Sequence, residues 1–373
     1  MKNIIQILSI LLLSAVVFNS CKKTGEDSGI AVNAVEPSIT TNDATGISGT
    51  NATIGGTITT DGGSLIKESG ICYSTTSGVD TTDNKKTSYK VSGSFSVALT
   101  GLSLLSTYYY RAYAINEKGL VYGEEKSFFV PVGGYSASSE VAAADLVAHW
   151  AFEDNYVEAV STTAGTANHP TAISFVSNGI KGKAVQVESP GYINSNITNT
   201  VSDLGSFTMT CWILQPASLA GGPTTFFPFS LNKAGYSWEQ TKFFMLFNNP
   251  DNATNSYGKV CLMDQWFDAG QVWPKMLDGS WHQMSISYNN TSGALRVYVD
   301  GVLISQSAST TLNPQANFGG ADSFTLGGPD DATHTANGWM NSLSGDLDEF
   351  RIYKSALSVS DIQALYALES HGL

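Results

Sequence analysis

The sequence predicts an all-β protein made of a small sandwich followed by a larger one. Short stretches in which apolar and polar residues alternate recur along the chain, and turns rich in Gly and Asp separate them. Charged residues make up only 14% of the 373 residues, while the chain contains 36 glycines and 16 tyrosines. Only the stretch from Ser358 to Glu369 resembles an amphipathic helix, so strands are expected to form the framework.

Residues 37–130 are predicted to form the small sandwich. Apolar side chains alternate with polar ones from Ala52 to Ile58, from Phe95 to Leu99 and from Tyr108 to Ala114. The turn Asp61-Gly62-Gly63 breaks this pattern. Roughly seven short strands in under a hundred residues are typical of a small two-sheet domain.

Residues 145–370 are predicted to form the larger sandwich. The run from Phe207 to Leu214 carries large apolar groups on both faces, as expected of a strand inside a double sheet. Leu295, Val297 and Val299 alternate with other residues up to Asp300-Gly301, which is a tight-hairpin signal. A length of over two hundred residues fits one large sandwich better than two small ones.

Particular segments connect both sandwiches to known families. The segments WHQMSISYNNTSGALRVY (Trp281–Tyr298) and GDLDEFRIYKSALS (Gly345–Ser358) resemble the closing strands of laminin G-like, concanavalin A-like jelly rolls. The segments Gly70–Ser74 and Thr107–Phe128 resemble a fibronectin type III-like module of bacterial surface lipoproteins. That resemblance implies a spacer in which the hydroxyl of Tyr108 caps the preceding loop. An alternative in which the exposed Tyr109, Arg111 and Tyr113 face binds a ligand is disfavoured, because such rows are usually a solvated sheet face.

The first twenty residues resemble a bacterial lipoprotein signal. Lys2 precedes an apolar run from Ile4 to Phe18 that is too short to span a bilayer comfortably, and Cys21 follows shortly after it. The resemblance implies lipid attachment at Cys21, a tether over residues 21–36 and export to the surface of the outer membrane. An ordinary secretory peptide with an incidental cysteine is the alternative. A short linker is expected at 131–144.

Net charge and cysteine content exclude several function classes. The formal charge of −13 leaves no basic surface for phosphate, so nucleic acid is not expected as a partner. Cys72, Cys211 and Cys261 are expected to be buried free thiols, with a Cys211–Cys261 bridge as the alternative. The spacing of these cysteines does not predict a zinc site.

The sequence predicts a protein that does not catalyse a reaction. A retaining glycosidase needs two carboxyl groups about 5 to 5.5 Å apart, and the Glu-x-Asp-x-x-Glu pattern of laminarinase-like relatives does not occur. Asp346, Asp348 and Glu349 lie in the terminal-strand motif that non-catalytic relatives share. His282 lies in a strand typical of the family and is interpreted as structural. A glycosidase of another type remains the least favoured alternative.

The jelly-roll resemblance also implies one structural calcium ion, held by hard oxygen ligands near the first and last strands. Carried over by position, its side-chain ligands are Asp154 and Asp348. The chain departs from the usual Asp-x-Ser-Gly run, since residues 158–161 read Glu-Ala-Val-Ser.

A glycan is the expected organic ligand. Sugars stack their apolar faces on exposed aromatic rings and hydrogen-bond to nearby amide and acid groups. Four tryptophans lie in loop-like surroundings of this kind and are the candidate ligand-binding residues: Trp238, Trp266, Trp273 and Trp339. The layout resembles that of surface glycan-binding proteins that work beside glycan importers and glycosidases. A protein-binding adhesion module is the alternative, for which a broad flat patch rather than a groove is expected.

Overall fold

The computed structural model describes residues 33–217, 225–233, 243–248, 255–262, 265–267, 273–274, 276–306, 318–336 and 338–373. In these residues the chain is almost entirely β-structure, which confirms the predicted fold class. The strands of the N-terminal module are β1 Ser38–Ser48, β2 Asn51–Thr60, β3 Glu68–Ser74, β4 Asn84–Thr87, β5 Gly93–Leu99, β6 Ser106–Ile115, β7 Leu120–Tyr122 and β8 Lys126–Val130.

The C-terminal part contains two larger sheets and three short helices. Its first strands are β9 Leu146–Trp150, β10 Thr166–Asn168, β11 Ile173–Val176, β12 Ala184–Val187, β13 Tyr192–Asn194, β14 Phe207–Leu214, β15 Thr225–Asn232, β16 Phe243–Asn248 and β17 Asn255–Leu262. They are followed by β18 Gln265–Phe267, β19 Trp273–Pro274, β20 Trp281–Asn289, β21 Ala294–Val299, β22 Val302–Gln306, β23 Ser323–Leu326, β24 Met340–Ser342 and β25 Gly345–Tyr353. The helices are α1 Thr198–Ser202, α2 Asp331–Ala336 and α3 Val359–Glu369.

The N-terminal module consists of two facing sheets. Sheet 1 has the order β1-β2-β5, and sheet 2 has the order β4-β3-β6-β7, with β8 also paired to β6. Alternate residues of these strands, such as Ile54, Ile71 and Tyr110, meet in one core. The hydroxyl of Tyr108 accepts a hydrogen bond from Ser103 N at 3.0 Å, so the predicted capping of the preceding loop is confirmed.

The Tyr109, Arg111 and Tyr113 face is not freely exposed, because Tyr113 is buried and the other two side chains are half-buried. Tyr113 is fully buried beside Cys72 and donates its hydroxyl to Glu68 Oε1 at 2.6 Å. The guanidinium of Arg111 lies 4.7 Å from the ring centre of Tyr122, in a cation–π arrangement. These contacts give the row a packing role in the module.

The three described cysteines are buried and not in disulfide bonds, as predicted. Cys211 lies on β14 and Cys261 on β17, and these strands belong to different sheets. Burial raises the pKa of Cys72 to about 11 and raises the pKa of Cys211 as well. Thiols of this kind stay protonated and unreactive at neutral pH.

Two large sheets form the C-terminal sandwich. Sheet 3 has the order β10-β13-β23-β15-β16-β17-β18, with β24 beside β15 and β19 beside β17. Sheet 4 has the order β11-β12-β25-β14-β20-β21-β22, with β9 beside β25. Their inner faces share one core that includes Phe207, Phe229, Phe324 and Phe350. Stacked apolar faces of this kind are the main source of stability in a sandwich.

The outer face of sheet 4 is covered by α3. Tyr298, Tyr353, Ile362 and Leu365 pack together in a second, smaller apolar cluster between the sheet and the helix. Ser358 caps the helix by accepting a hydrogen bond from Asp361 N. In the part of the chain that the structure describes, α3 and the other helices are too short or too polar to cross a bilayer.

The segment predicted as a linker, residues 131–144, packs against the same helix. Ser138 begins a short 3₁₀ turn and is fully buried. Its hydroxyl lies 3.2 Å from Arg351 Nη2 and 3.1 Å from Lys181 Nζ. The hydroxyl of Tyr135 also donates to Asp361 Oδ1 at 2.9 Å. The segment is therefore tied to the C-terminal sandwich by polar contacts, in addition to connecting the two modules.

A buried charge network lies under the C-terminal end of α3. Glu369 is fully buried and accepts hydrogen bonds from Trp212 Nε1 at 2.6 Å, Gln283 Nε2 at 2.9 Å and Arg351 Nε at 2.8 Å. Arg351 also contacts Glu349, whose Oε2 lies 2.9 Å from His149 Nε2. We refer to Glu349, Arg351 and Glu369 as the charge triad.

A bulge in β25 shapes this network. Thr210 pairs with Arg351 and Trp212 pairs with Asp348, so two residues of β25 lie opposite Cys211. Glu349 takes a left-handed backbone conformation there, with φ 46°. The extra residue allows the side chains of both Glu349 and Arg351 to join the triad, while Phe350 enters the core.

Candidate ligand-binding site

Sheet 3 has a polar outer face. Phe229, Leu231, Phe324 and Leu326 point into the core. The residues that alternate with them on β15 and β23 therefore face outward. Those residues are buried and hydrogen-bonded to one another: Ser230, Asn232, Ser323 and Thr325. A polar sheet face that is also buried must be covered by another part of the chain.

The segment from Gly328 through α2 provides cover for β23. Ser323 Oγ donates to Asp330 Oδ2 at 2.5 Å, and Thr325 Oγ1 donates to Gly328 O at 2.6 Å. The other oxygen of Asp330 accepts from Thr333 N at 2.8 Å. Asp330 therefore fixes α2 to the sheet, and the outward side of the helix is left for solvent or a ligand.

A polar cluster lies at the start of α2. His169 Nε2 is 2.7 Å from Asp331 Oδ1, and both side chains are substantially exposed. The ring of Tyr192 meets the ring of His169 edge-on, with centroids 6.1 Å apart. Burial raises the pKa of Tyr192, so its hydroxyl stays protonated. This cluster was not found from the sequence, because His169 and Asp331 are 162 residues apart.

Trp339 lies just beyond the other end of α2. It is 38% exposed, and its ring packs on buried Phe227 with centroids 5.9 Å apart. Its carbonyl accepts hydrogen bonds from Thr225 Oγ1 and from Asn341 Nδ2, the latter at 3.1 Å. An aromatic ring held in place and partly exposed beside an amide is suited to stacking on a sugar.

These groups flank α2, with His169 and Asp331 at its start and Trp339 and Asn341 just beyond its end. We call His169, Asp331, Trp339 and Asn341 the α2 surface. The helix has six residues, about 9 Å of rise, between its acidic start and the Trp339 end. The α2 surface therefore combines an apolar ring with a carboxylate, an imidazole and an amide.

Two of the remaining predicted tryptophans, Trp266 and Trp273, lie near opposite ends of β17 in sheet 3. Trp273 pairs with Ser256 near the start of β17, whereas Trp266 pairs with Cys261 near its end. Five residues of strand separate these partners, about 17 Å. Trp339 is at the Trp273 end, because Met340 pairs with Thr225 at the start of β15. Trp238 and the side chains of Trp266 and Trp273 lie outside the described residues.

The carboxylates of the terminal-strand motif are not arranged around an open cleft. Asp348 and Glu349 are buried. Burial and the neighbouring Glu349 raise the pKa of Asp348 to about 8. Glu349 is held by His149 and Arg351. This part of the motif locks β25 into the fold, in agreement with its interpretation as structural.

His282 also holds loops together. Its Nδ1 lies 2.8 Å from Asp300 Oδ2 at the β21–β22 turn, and its Nε2 lies 3.3 Å from Asp278 Oδ1. Burial opposes ionisation, but the hydrogen bond to Asp300 and the charges of both aspartates outweigh it and raise the pKa of His282. The imidazolium of His282 therefore bridges Asp300 in the hairpin turn to Asp278. We call this bridge the His282 clamp.

The His282 clamp gives a pH-dependent prediction. A raised folded-state pKa contributes stability that is fully present below the unfolded value, about pH 6.5, and is lost as pH rises through the folded value. We expect His282→Gln to lower the free energy of unfolding by about 1 kcal/mol near pH 6 and by clearly less near pH 9. Urea unfolding at both pH values measures this, with His371→Gln as the exposed control. An equal loss at both pH values would contradict the clamp.

The structure does not test the calcium ion that the resemblance implies at Asp154 and Asp348, but the two side chains as placed do not suit the ion. Asp154 is 60% exposed and pairs with Lys183 Nζ, an ammonium that competes with a cation. Asp348 is buried, accepts hydrogen bonds from Lys181 N and Glu349 N, and has a raised pKa. Among the described residues, no group of three or more His, Cys, Asp or Glu is arranged to hold a metal.

We therefore expect calcium to leave the melting temperature of the mature chain unchanged. The measurement compares calcium with a chelator, and magnesium at equal ionic strength is the control. Tight binding to the folded state alone raises stability by about 2.7 kcal/mol at a hundredfold excess over Kd. A rise of several degrees with calcium only would restore the predicted metal site.

Comparison with known proteins shows which family the C-terminal sandwich resembles. Residues 188–363 match the laminin G-type family model described as the concanavalin A-like lectin/glucanases superfamily. A curated relative, the rat (Rattus norvegicus) "Sushi, von Willebrand factor type A, EGF and pentraxin domain-containing protein 1", is 28% identical over 92 residues. That match covers 25% of this chain and 2% of the relative.

Solved structures give more distant matches. A heptameric SAP-like pentraxin from Limulus polyphemus is 15% identical, with a TM-score of 0.32, over 43% of this chain and 69% of that one. A Trypanosoma rangeli sialidase mutant is 10% identical, with a TM-score of 0.45, over 70% of this chain and 42% of that one. The family match, together with the two large sheets, shows that the C-terminal part contains a concanavalin A-like jelly-roll domain.

Proposed function

We propose that this protein is a surface lipoprotein that captures carbohydrate through its C-terminal jelly roll without cleaving it. The matched family model describes lectins and glucanases, which supports a binding module for carbohydrate. The observation that carries the proposal is the partly exposed Trp339 ring, fixed on Phe227 beside Asn341. At the other end of α2, Asp331 and His169 offer polar partners to sugar hydroxyls.

The rest of the chain has a supporting role in this proposal. Lipid at Cys21 would anchor the protein in the outer membrane, at the cell surface, and the N-terminal module would act as a spacer. Several anchored copies close together gain avidity, which offsets weak affinity at a single site. Glycan held in this way would be available to a neighbouring importer or to glycosidases.

Two measurements together test whether the protein binds carbohydrate without cleaving it. Affinity electrophoresis of the mature chain, residues 22–373, on gels with plant, algal and host polysaccharides should show retardation on one class. Incubation with that polysaccharide should release no reducing ends. Release of reducing ends would identify a glycosidase, and absence of retardation on every gel would favour a protein-binding adhesion module.

A further inference from the structure

The N-terminal module concentrates exposed apolar side chains at one end. Val35 is 60% exposed, Leu65 82%, Tyr89 86% and Val91 56%. The strands place these residues together, because β1 starts where β2 ends and β5 starts beside the end of β2. We call these four residues the apolar end. Several large exposed apolar side chains at one end of a small domain favour a contact surface there.

The apolar end is held in shape by the fold. Buried Ser69 donates its hydroxyl to Lys90 O at 2.6 Å and accepts Ser88 N at its carbonyl at 2.8 Å. Tyr89, between Ser88 and Lys90, has a left-handed backbone with φ 59°, which is uncommon for an aromatic residue. The loop is thus fixed with its tyrosine outward. Val35 N likewise donates to Gly62 O at 2.8 Å, which ties the entering chain to the loop before Leu65.

The chain enters the module at this end. Twelve residue steps separate Cys21 from Asn33, the first described residue, a span of at most about 40 Å when fully extended. A lipid at Cys21 therefore keeps the apolar end close to the bilayer. Lys90 lies between Tyr89 and Val91, where its stem is able to pass through the interface with its ammonium in water. Asp61 and the Glu117–Lys118 pair are also at this end, because Asn116 Nδ2 donates to Val35 O and to Asp61 O. These charges are mixed, so a basic surface is not the source of attraction.

We propose that the apolar end rests on the lipid bilayer, with Leu65, Tyr89 and Val91 inserted at the headgroup level. This inference builds on the proposed lipid anchor at Cys21. Apolar side chains buried at the interface add to membrane affinity in proportion to their area, and an anchored chain needs only weak affinity to stay seated. The orientation of the module relative to the membrane is then fixed by the inserted side chains as well as by the tether.

The test replaces the natural anchor so that it does not depend on lipidation of Cys21. The mature chain from Lys22 carries an N-terminal hexahistidine tag and is attached to vesicles of phosphatidylethanolamine and phosphatidylglycerol containing a nickel-chelating lipid. Its three remaining cysteines are buried. A cysteine introduced by Tyr89→Cys is therefore labelled selectively with a polarity-sensitive dye. Val302→Cys, at a 61% exposed position on the jelly roll, is the matched control.

We expect the dye at position 89 to shift to the blue and brighten when the tagged protein is attached to vesicles, while the dye at 302 does not change. Adding Leu65→Ser and Val91→Ser should reduce the shift at least twofold, although sedimentation shows the protein still attached. An unchanged dye at position 89 on attached protein, or an equal shift at 302, would overturn the proposal. Mass spectrometry of the full-length chain and its Cys21→Ser variant tests the natural anchor separately.

Discussion

Replacing Glu369 by alanine is expected to lower the free energy of unfolding by about 3–5 kcal/mol, the largest stability effect predicted for a single substitution in this chain. Glu369 is fully buried at the end of α3 and accepts three hydrogen bonds from sheet 4. Its loss leaves Arg351, which is almost fully buried, with Glu349 as its remaining carboxylate partner. Trp212 and Gln283 also lose their acceptor.

The expected loss rests on the three buried donors left without an acceptor, Trp212 Nε1, Gln283 Nε2 and Arg351 Nε, and not on the ion pair being strongly favourable in itself. Burial raises the pKa of Glu369, and Arg351 acts against that rise. Keeping an acceptor oxygen at position 369 should therefore cost less than removing it. Glu369→Gln is expected to be more stable than Glu369→Ala.

Urea unfolding followed by circular dichroism measures these differences. Gln363→Ala, an exposed change on the same helix, is the matched control and is expected to stay within about 0.5 kcal/mol of the unmodified chain. A loss below about 1 kcal/mol for Glu369→Ala would contradict a buried triad that docks α3 on the sheet.

Replacing Trp339 by alanine is expected to weaken glycan binding about tenfold or more while the fold is kept. The ring is 38% exposed, so its removal leaves a smaller cavity than removal of a core residue would. Loss of one stacking ring costs about 1.4 kcal/mol, or a factor of ten, when aromatic contact and apolar burial are combined. Affinity electrophoresis and thermal melting together measure both quantities.

Two further variants separate a binding role from a structural one. Trp339→Phe keeps an aromatic face on Phe227 and should restore part of the affinity. Tyr89→Ala removes an exposed aromatic ring from the other module and should leave glycan binding unchanged. Full binding by Trp339→Ala would remove the α2 surface from the proposal and direct attention to the opposite end of sheet 3, where Trp266 lies.

The local patterns in the sequence were sufficient to predict several of the strands. Asp300 and Gly301 have left-handed backbones with φ 50° and 72°, and they join β21 to β22 as the Asp-Gly signal predicts. The run from Phe207 to Leu214 forms a strand, β14, in the interior of sheet 4. Such features depend on neighbours in the sequence, so periodicity and turn chemistry reveal them.

The arrangement of the site depends on contacts between residues distant in the sequence. The sequence named Trp266 and Trp273 among four candidate tryptophans, but their strand partners on β17 are five residues apart and at opposite ends of the strand. The role of Glu349 depends on a bulge, and the partner of His169 is 162 residues away. Cross-strand register decides these placements, and a single sequence does not encode it locally.

Calorimetric titration of residues 22–373 tests most directly whether the jelly roll binds carbohydrate. Oligosaccharides of increasing length, cut from the polysaccharide that retards the protein, would be added to this chain. We expect saturable binding to one site, with affinity that rises with length and then levels off, and with a loss of about tenfold in Trp339→Ala. Titrations without heat or saturation for every length would contradict carbohydrate capture by this domain.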